Sequence, residues 1–351
     1  MRLVNRLRQF RTRRGWSQQE LADRAGLPRS TVSAVETGRV VPSVAVALAL
    51  AEALGCEVID LFQPIPTGRR RPTWATEPGS GLHRFWAAAF PDGVRLYPVE
   101  PTLVGTRPHD GVAESPSGRV EWRHPGEADR TLVLAGCDPA VGLLVEALAR
   151  MAGVRLLPLT RSSRAALELL REDRVHVAGV HLGTGEVNRA VVREVLGPGY
   201  CLLRLARWEE GIMLGQGLGL RSVREVLRAR LRWVLREPGS GAWACLREVA
   251  PRFRRRRSGR TAGDHWTVAA VVRGGWAQAG VGVRLPAAEV GLPFLSVRWA
   301  DYDLCFRREL SDDPRFRRLV EVVGSRAFRT LLADLPGYDA SATGALASVE
   351  S

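Results

Sequence analysis

The segment SQQELADRAGLPRSTVSAVETG, residues 17–38, restricts the folding of this chain more than any other stretch. It reads as two short helices crossing at a tight turn. Such a crossing needs a small residue where the helices meet, and Ala22 supplies it. The turn needs a residue that tolerates positive φ, and Gly26 follows four positions later. Leu21, Ala25, Leu27, Val32 and Val35 fall where the two helices must bury apolar faces against each other, and Pro28 pre-sets φ at the start of the second. A first helix over Leu3–Arg14 and an amphipathic one over Ser43–Leu54 are expected to close a compact core. Charge surrounds this core: residues 1–71 hold 12 Arg against 6 acidic residues, a balance that attracts phosphate. The whole chain carries 51 basic and 37 acidic residues, a formal +14, and every basic residue is Arg. GC-rich codons account for Arg over Lys but not for the excess, which points to polyanionic partners, nucleic acid before membrane.

The segment resembles the Cro/repressor-like (XRE-type) helix-turn-helix family, over residues 1–63. The matching features are Gln18, Glu20, Leu21, Ala22, Gly26, Val32, Glu36, Gly38, Pro42 and the closing VIDLF. The resemblance implies that the second helix lies in the major groove of double-stranded DNA with its N-terminal residues at the base edges. By position, Arg29, Ser30, Ser33 and Ala34 would then face bases, with Arg29 able to grip a guanine in two places. Gln18 and the helix N-terminus at Ser17 would hold a phosphate, and Thr37 and Arg39 would make further backbone contacts. Glu36 is expected to pair with Arg11 inside the domain. One such module reads a half-site, so a homodimer is expected.

At 351 residues the chain is long enough for two domains. Pro64–Gly81, rich in Pro, Gly and Arg, reads as a linker, and residues 82–129 as a small β-rich connector with GVRLYPV and GRVEWRH as strands. From Thr131 strands and helices alternate. TLVLAG, VRLLPL and RVHVAGVHL are the strands; DPAVGLLVEALARMAG and SSRAALELLRED are the helices. This implies a parallel α/β sheet, continuing to residue 344, with 345–351 a disordered tail. The fold class is thus an all-α domain followed by an α/β domain. YCLLRLA, LRWVL, AQAGVGV, PFLSVRW and YDLCF are further strands. SVREVLRA, GAWACLREV, HWTVAAVVRGG and PRFRRLVEVVGSRAFRTLLADL are further helices, and RFRRRR at 252–257 reads as a solvated loop. Cys56, Cys137, Cys201, Cys245 and Cys305 form no C-x-x-C pair and read as small buried residues of a reducing compartment. No signal peptide is visible. Val40–Leu54, the most apolar stretch, is too short to span a bilayer, so a cytoplasmic protein is expected.

Four segments place Gly, Ser or Asp at strand-to-helix junctions: GCDPAVG, TRSSRAA, REPGSGAW and TAGDHW. One alone is an ordinary capped helix; four in one region suggest helix N-termini gathered round a small polar ligand. Their order resembles the periplasmic-binding-protein-like domain that is found fused to regulator helix-turn-helices and to molybdenum-cofactor proteins. The resemblance covers Leu132–Gly344, with AGCDPAVGLL, SSRAALELL, VHVAGVHL, REPGSG, AGVGV, YDL and LPGYDASATG as further anchors. It implies two α/β lobes joined by crossing strands, with the ligand in a hinged cleft. Relatives that bind molybdate or tungstate imply an oxyanion. The matching positions are Asp138, Ser162, Ser163, His181, Arg236, Gly239, Ser240, Gly241, His265 and Tyr302. Ala242 and Trp243 after Gly-Ser-Gly, Leu235 before Arg236, and Gln278 ahead of AGVGV depart from the pattern and bear on which ligand is held.

No G-x-S-x-G, H-E-x-x-H, Walker glycine loop or C-x-x-C is present, so catalysis is not expected, nor a cofactor. His176 and His181 lie on a strand-like segment and point to opposite faces, which suits no metal. Two functions remain: a DNA-binding regulator responding to a small ligand, or a constitutive repressor whose second domain only dimerises.

Overall fold

A computed structural model describes residues 3–64, 72–100, 108–115, 120–251, 253 and 260–350. The chain divides into two compact units, Met1–Arg71 and Pro72–Ser351.

The first unit holds five helices: α1 (Leu7–Arg13), α2 (Gln18–Ala25), α3 (Arg29–Glu36), α4 (Val44–Leu54) and α5 (Val58–Leu61). Ser17 caps α2, accepting a hydrogen bond from the Glu20 amide while Glu20 accepts one from the Ser17 amide, so two otherwise orphaned donors are met. Gly26 ends α2 at φ 63°, the left-handed conformation the turn requires. Leu7, Leu21, Ala22, Val32, Val35, Leu50, Leu54 and Leu61 form the buried core, with Ala25 and Leu27 half-buried against it. The expected first helix is shorter than Leu3–Arg14. Leu3–Asn5 is instead a strand, β1, paired antiparallel with β2 (Phe62–Pro64). Asn5 makes the change of direction: its side-chain oxygen accepts from the Leu7 amide at 3.0 Å, and its side-chain nitrogen donates to the Val35 carbonyl at 2.5 Å.

The second unit opens with a five-stranded sheet in the order β3-β5-β4-β6-β7, built from β3 (Thr73–Trp74), β4 (Gly81–Phe90), β5 (Gly93–Pro98), β6 (Gly111–Ser115) and β7 (Val120–Trp122). The expected linker over 64–81 therefore stops short of 73. Trp74 sets its ring edge-on to Phe85, which draws β3 into the sheet, and residues 65–71 lie outside those described. The Arg155 guanidinium fastens this sheet to the next, reaching Asp110 at 2.6 Å and the Ala87 carbonyl at 3.0 Å.

The larger sheet has the path β13-β12-β14-β11-β15-β10-β8-β9. Its strands are β8 (Thr131–Gly136), β9 (Arg155–Thr160), β10 (Val177–Val180), β11 (Tyr200–Leu214), β12 (Trp233–Arg236), β13 (Arg260–Ala262), β14 (Ala279–Val283) and β15 (Phe294–Arg307). Helices α6 (Val141–Ala152), α7 (Ser163–Arg171), α8 (Gly185–Leu196), α13 (Pro314–Gly324) and α14 (Arg326–Ala333) flank β8–β10; α9 (Val223–Arg228), α10 (Gly241–Val249), α11 (His265–Arg273) and α12 (Arg284–Glu289) flank β12–β14. These are two lobes. The long strands β11 and β15 run antiparallel through both, and their register shifts between Arg204 and Ala206 and again between Glu210 and Gly211. Bulges bend and twist a strand, so these mark where the crossing pair turns from one lobe to the other.

PFLSVRW and YDLCF are therefore one continuous strand, and the helical pattern over 314–335 is two helices. Ser325 follows α13 and caps α14, accepting from the Phe328 amide at 3.2 Å. The expected disordered tail after 344 is instead mostly a strand. Beside β11 lie β16 (Tyr338–Asp339) and β17 (Leu346–Val349), the latter paired with Tyr200–Leu203 and burying Val349. The arginine run at 252–257 lies outside the described residues apart from Phe253. Among the described residues no helix is long and apolar enough to cross a membrane.

Candidate functional site

Two places in the chain hold chemistry beyond what folding requires. The first is the exposed edge of α3. Pro28 precedes the helix with extended backbone, so Arg29 and Ser30 begin it in the open; Ser33 and Ala34 are half-buried one turn on. Thr37 and Arg39 are exposed beyond the end, and the Thr37 hydroxyl donates to the Ser33 carbonyl at 2.8 Å. Val32 and Val35 turn inward, so α3 is anchored by one face and presents the other. Arg29 and Arg39 form no ion pair among the described residues. Arg11 and Glu36 pair as expected, at 2.6 Å and 3.1 Å through both carboxylate oxygens. Gln18 does something not expected of it: its side-chain nitrogen donates to Glu36 at 2.8 Å. Burial works against the Glu36 charge, yet Arg11 and Gln18 together hold its carboxyl below the ordinary range. Ser17 is exposed and its hydroxyl is committed to capping α2.

The second place lies between the lobes of the larger unit, around His181. All four junction segments reach this residue. The Ser163 hydroxyl, at the start of α7, accepts from the His181 amide at 3.1 Å. Cys137, after β8 and ahead of α6, places its Sγ 2.8 Å from His181 Nε2. Gly241, at the start of α10, lies so close that a β-carbon there would sit 1.9 Å from the His181 carbonyl oxygen. The His265 ring, at the start of α11, has its centroid 5.6 Å from that of His181. Crossing strands floor the site. Trp208 of β11 lies near Tyr302 of β15, ring centroids 4.6 Å apart, and Glu210 accepts from His181 Nδ1 at 3.1 Å and from Arg298 Nε at 2.8 Å. Across the cleft, Trp266 Nε1 donates to the Pro139 carbonyl at 3.1 Å.

Of the ten positions expected to face a ligand, several have their polar atoms engaged. Asp138 Oδ1 accepts from the Ala140 amide and from the Tyr338 hydroxyl. Ser240 caps α10, accepting from the Trp243 amide and donating to the Glu237 carbonyl. Gly239, at φ 91°, packs against Arg164, and Ser162 is buried before α7. Arg236 gives Nε and Nη2 to Glu237 at 3.0 Å and 3.1 Å. What remains is unusual for an interior. Among the described residues, Arg236 Nη1, Trp208 Nε1, the Tyr302 hydroxyl and both ring nitrogens of His265 are buried without a hydrogen-bond partner. Each such group costs on the order of 1–3 kcal/mol while it stays unmet.

Electrostatics separate the two histidines. Burial pushes His181 down, but Cys137 and Glu210 carry it up to about 9. Burial and the Arg236 charge hold His265 well below the ordinary imidazole value, so it is a neutral ring at neutral pH. Burial raises the Asp138 carboxyl. Cys137, Trp208, Glu210, Arg298 and Tyr338 were not among the positions expected from sequence. Only the two adjacent acids of RWEEG, inside an apolar strand, hinted at them. His176 and His181 do stand apart, with His176 Nδ1 accepting from the Val133 amide at 3.0 Å. Yet Cys137, His181 and His265, from three distant segments, bring their ligand atoms within 4.8 Å of one another.

A helix-turn-helix family model matches residues 7–61 and a PBP superfamily domain matches residues 145–324. The Bacillus subtilis protein YvgK is 23% identical over 224 residues, covering 61% of this chain and 72% of its own length. The HTH-type transcriptional regulator YgzD of the same organism is 38% identical over 60 residues, 17% of this chain and 91% of its own. A substrate-binding protein of a phosphate ABC transporter from Clostridium perfringens superposes with a TM-score of 0.46 at 12% identity, covering 59% of this chain and 99% of that one. The chain belongs to the PBP superfamily and carries at its start an XRE-type helix-turn-helix, the architecture of a DNA-binding transcriptional regulator.

Proposed function

We propose that this protein reads duplex DNA with α3 and that a small anion held between the lobes controls the reading. One observation carries the anion: Arg236 Nη1 and Trp208 Nε1 can only donate, both are buried, and neither has an acceptor. Asp138 Oδ1 already takes the Ala140 amide and the Tyr338 hydroxyl, and Glu210 takes His181 and Arg298. A compact oxyanion such as molybdate or tungstate supplies these two donors, Arg236 and Trp208, with several acceptors at once. The N-termini of α7, α10 and α11 around His181 add amide dipoles of the same sense. Asp138, Ser162, Ser163, His181, Arg236, Gly239, Ser240, Gly241, His265 and Tyr302 line or buttress that site, the serines and glycines through their backbone and packing.

On the DNA side, Arg29, Ser30, Ser33 and Ala34 meet base edges while Ser17, Gln18, Thr37 and Arg39 flank the phosphates, Gln18 doing so from its hold on Glu36. Two copies acting as a homodimer would span half-sites about 34–36 Å apart. Access to the chromosome places the protein in the cytoplasm. To act as an effector, the anion must favour one lobe arrangement; a tenfold preference is about 1.4 kcal/mol.

Calorimetric titration of the full chain with molybdate, tungstate, sulfate, phosphate and methylphosphonate tests this, alongside operator affinity with and without each. One of them is expected to bind and to shift DNA affinity. If none binds while DNA affinity is high, the protein is a constitutive repressor whose second domain dimerises.

A further inference from the structure

The anion reading gives Cys137 no task and uses His181 and His265 only as lining. Cys137 and His181 belong to the β8–β10 lobe and His265 to the other; all three are buried, and their ligand atoms lie within 4.8 Å. We infer that Cys137, His181 and His265 form a site for a d-block cation of the zinc class that ties the two lobes together across the cleft. This goes beyond an anion effector and does not depend on one, because Arg236 and Trp208 are not among its ligands.

Thiolate and imidazole are the donors such borderline-soft cations prefer, and three protein ligands leave a fourth position open for water or an anion. Around a tetrahedral zinc the sulfur and nitrogen donors stand about 3.4–3.6 Å apart. The Cys137–His181 contact of 2.8 Å and the outer limit of 4.8 Å bracket that separation, so small side-chain rotations suffice.

The support behind the ligands is built as well. His181 turns Nε2 toward Cys137 and gives Nδ1 to Glu210 at 3.1 Å, and Arg298 fixes Glu210 at 2.7 Å. A carboxylate behind a histidine in this way fixes which nitrogen faces the cation and raises its basicity. A plain thiol–imidazole hydrogen bond would explain Cys137 and His181 but not His265, whose two ring nitrogens are both buried and unpartnered. Charge permits a cation here. Arg236, whose charge bears on His265, is answered by Glu237, while Glu210 supplies negative charge beside His181. On binding, the proton held between Cys137 Sγ and His181 Nε2 leaves to solvent, which frees the sulfur pair and the Nε2 pair for the cation.

The full chain, reduced and stripped with a chelator, should take up one cobalt(II) per chain with a thiolate-to-metal charge-transfer band that zinc(II) abolishes. Cys137→Ser should lose the band, and His265→Gln should weaken zinc binding more than about 100-fold. Glu210→Gln should cost about 10–100-fold. Far-UV circular dichroism and the urea unfolding midpoint of the larger unit report whether each variant is folded. Arg236→Met, which removes the anion donor, should leave the cobalt band in place, so that failure of the anion reading and failure of the metal site are told apart. Should the variants not fold, saturating zinc should protect Cys137 of the unaltered protein from alkylation, read by mass spectrometry. No cobalt band in the unaltered chain, a band that survives both Cys137→Ser and His265→Gln, or equal alkylation of Cys137 with and without zinc would each overturn the site.

Discussion

The helical unit and the interlobe cleft handle buried polarity in opposite ways. In the first, Arg11, Glu36 and Gln18 close on one another, so a charged group with almost no exposure has all its needs met within the fold. In the second, Arg236, Trp208, Tyr302 and His265 are buried with polar atoms unmet. A satisfied interior makes a rigid support for an exposed reading edge, and its working residues can be altered with little effect on folding. An unsatisfied interior is held in place by the packing around it and gains when something arrives.

The contrast can be broken most strongly at Arg11. Arg11→Ala strands the Glu36 charge and should destabilise the helical unit by about 3–5 kcal/mol, with DNA binding lost at a lower urea concentration. If the change is under 1 kcal/mol, the pair is not the closed network described.

Next comes acid. Burial and the Arg315 charge push His176 down to about 3, well under the ordinary imidazole value. A depressed folded-state value gives stability that is present above pH 6.5 and lost as pH falls toward 3, at up to about 1.4 kcal/mol per pH unit. Urea midpoints between pH 7 and pH 5 should fall for the larger unit, and His176→Gln should flatten that slope. An unchanged slope would move the acid sensitivity to another group.

Arg29→Ala should cost about 1–3 kcal/mol on the cognate operator and less on random DNA, with no change in unfolding midpoint. Equal losses on both would make Arg29 a phosphate contact. The smallest effect is expected at Tyr302→Phe. Removing an unpartnered hydroxyl should stabilise the ligand-free chain by about 1 kcal/mol while reducing the extra stability an anion confers. Destabilisation instead would mean that the hydroxyl is already served, by the nearby Cys137 and Asp138 amides.

These two regions also differ in how much could be read from residues alone. Ser17, Ala22 and Gly26 act on neighbours a few positions away, so the cap, the crossing and the turn are written locally, and the Arg11–Glu36 pair could be anticipated. The cleft is assembled from afar. His181 has its main partners on β11, after β8 and at the start of α11, and nothing near Cys137 in the chain distinguishes a ligand from a small core residue. Local propensity also hid α8: GEVNRAVVREVL opens on glycine and is rich in β-branched valines, and its first turn is held by Asn188, which accepts from the Leu182 amide and donates to the Asp301 carbonyl. Ala300 and Asp301 fell between the two strands expected from sequence, and they sit where β15 passes between lobes.

The free edge of β11 is covered piecemeal, by β14 over its last residues and by β16 and β17 over the earlier ones. During synthesis the helical unit has every contact it needs long before the ribosome reaches Leu346. The larger sheet keeps an open seam until then. Any chain halted between those points would hold a finished helical unit and a larger sheet whose β11 edge is still bare, so the second unit completes its fold only when that late strand has been made.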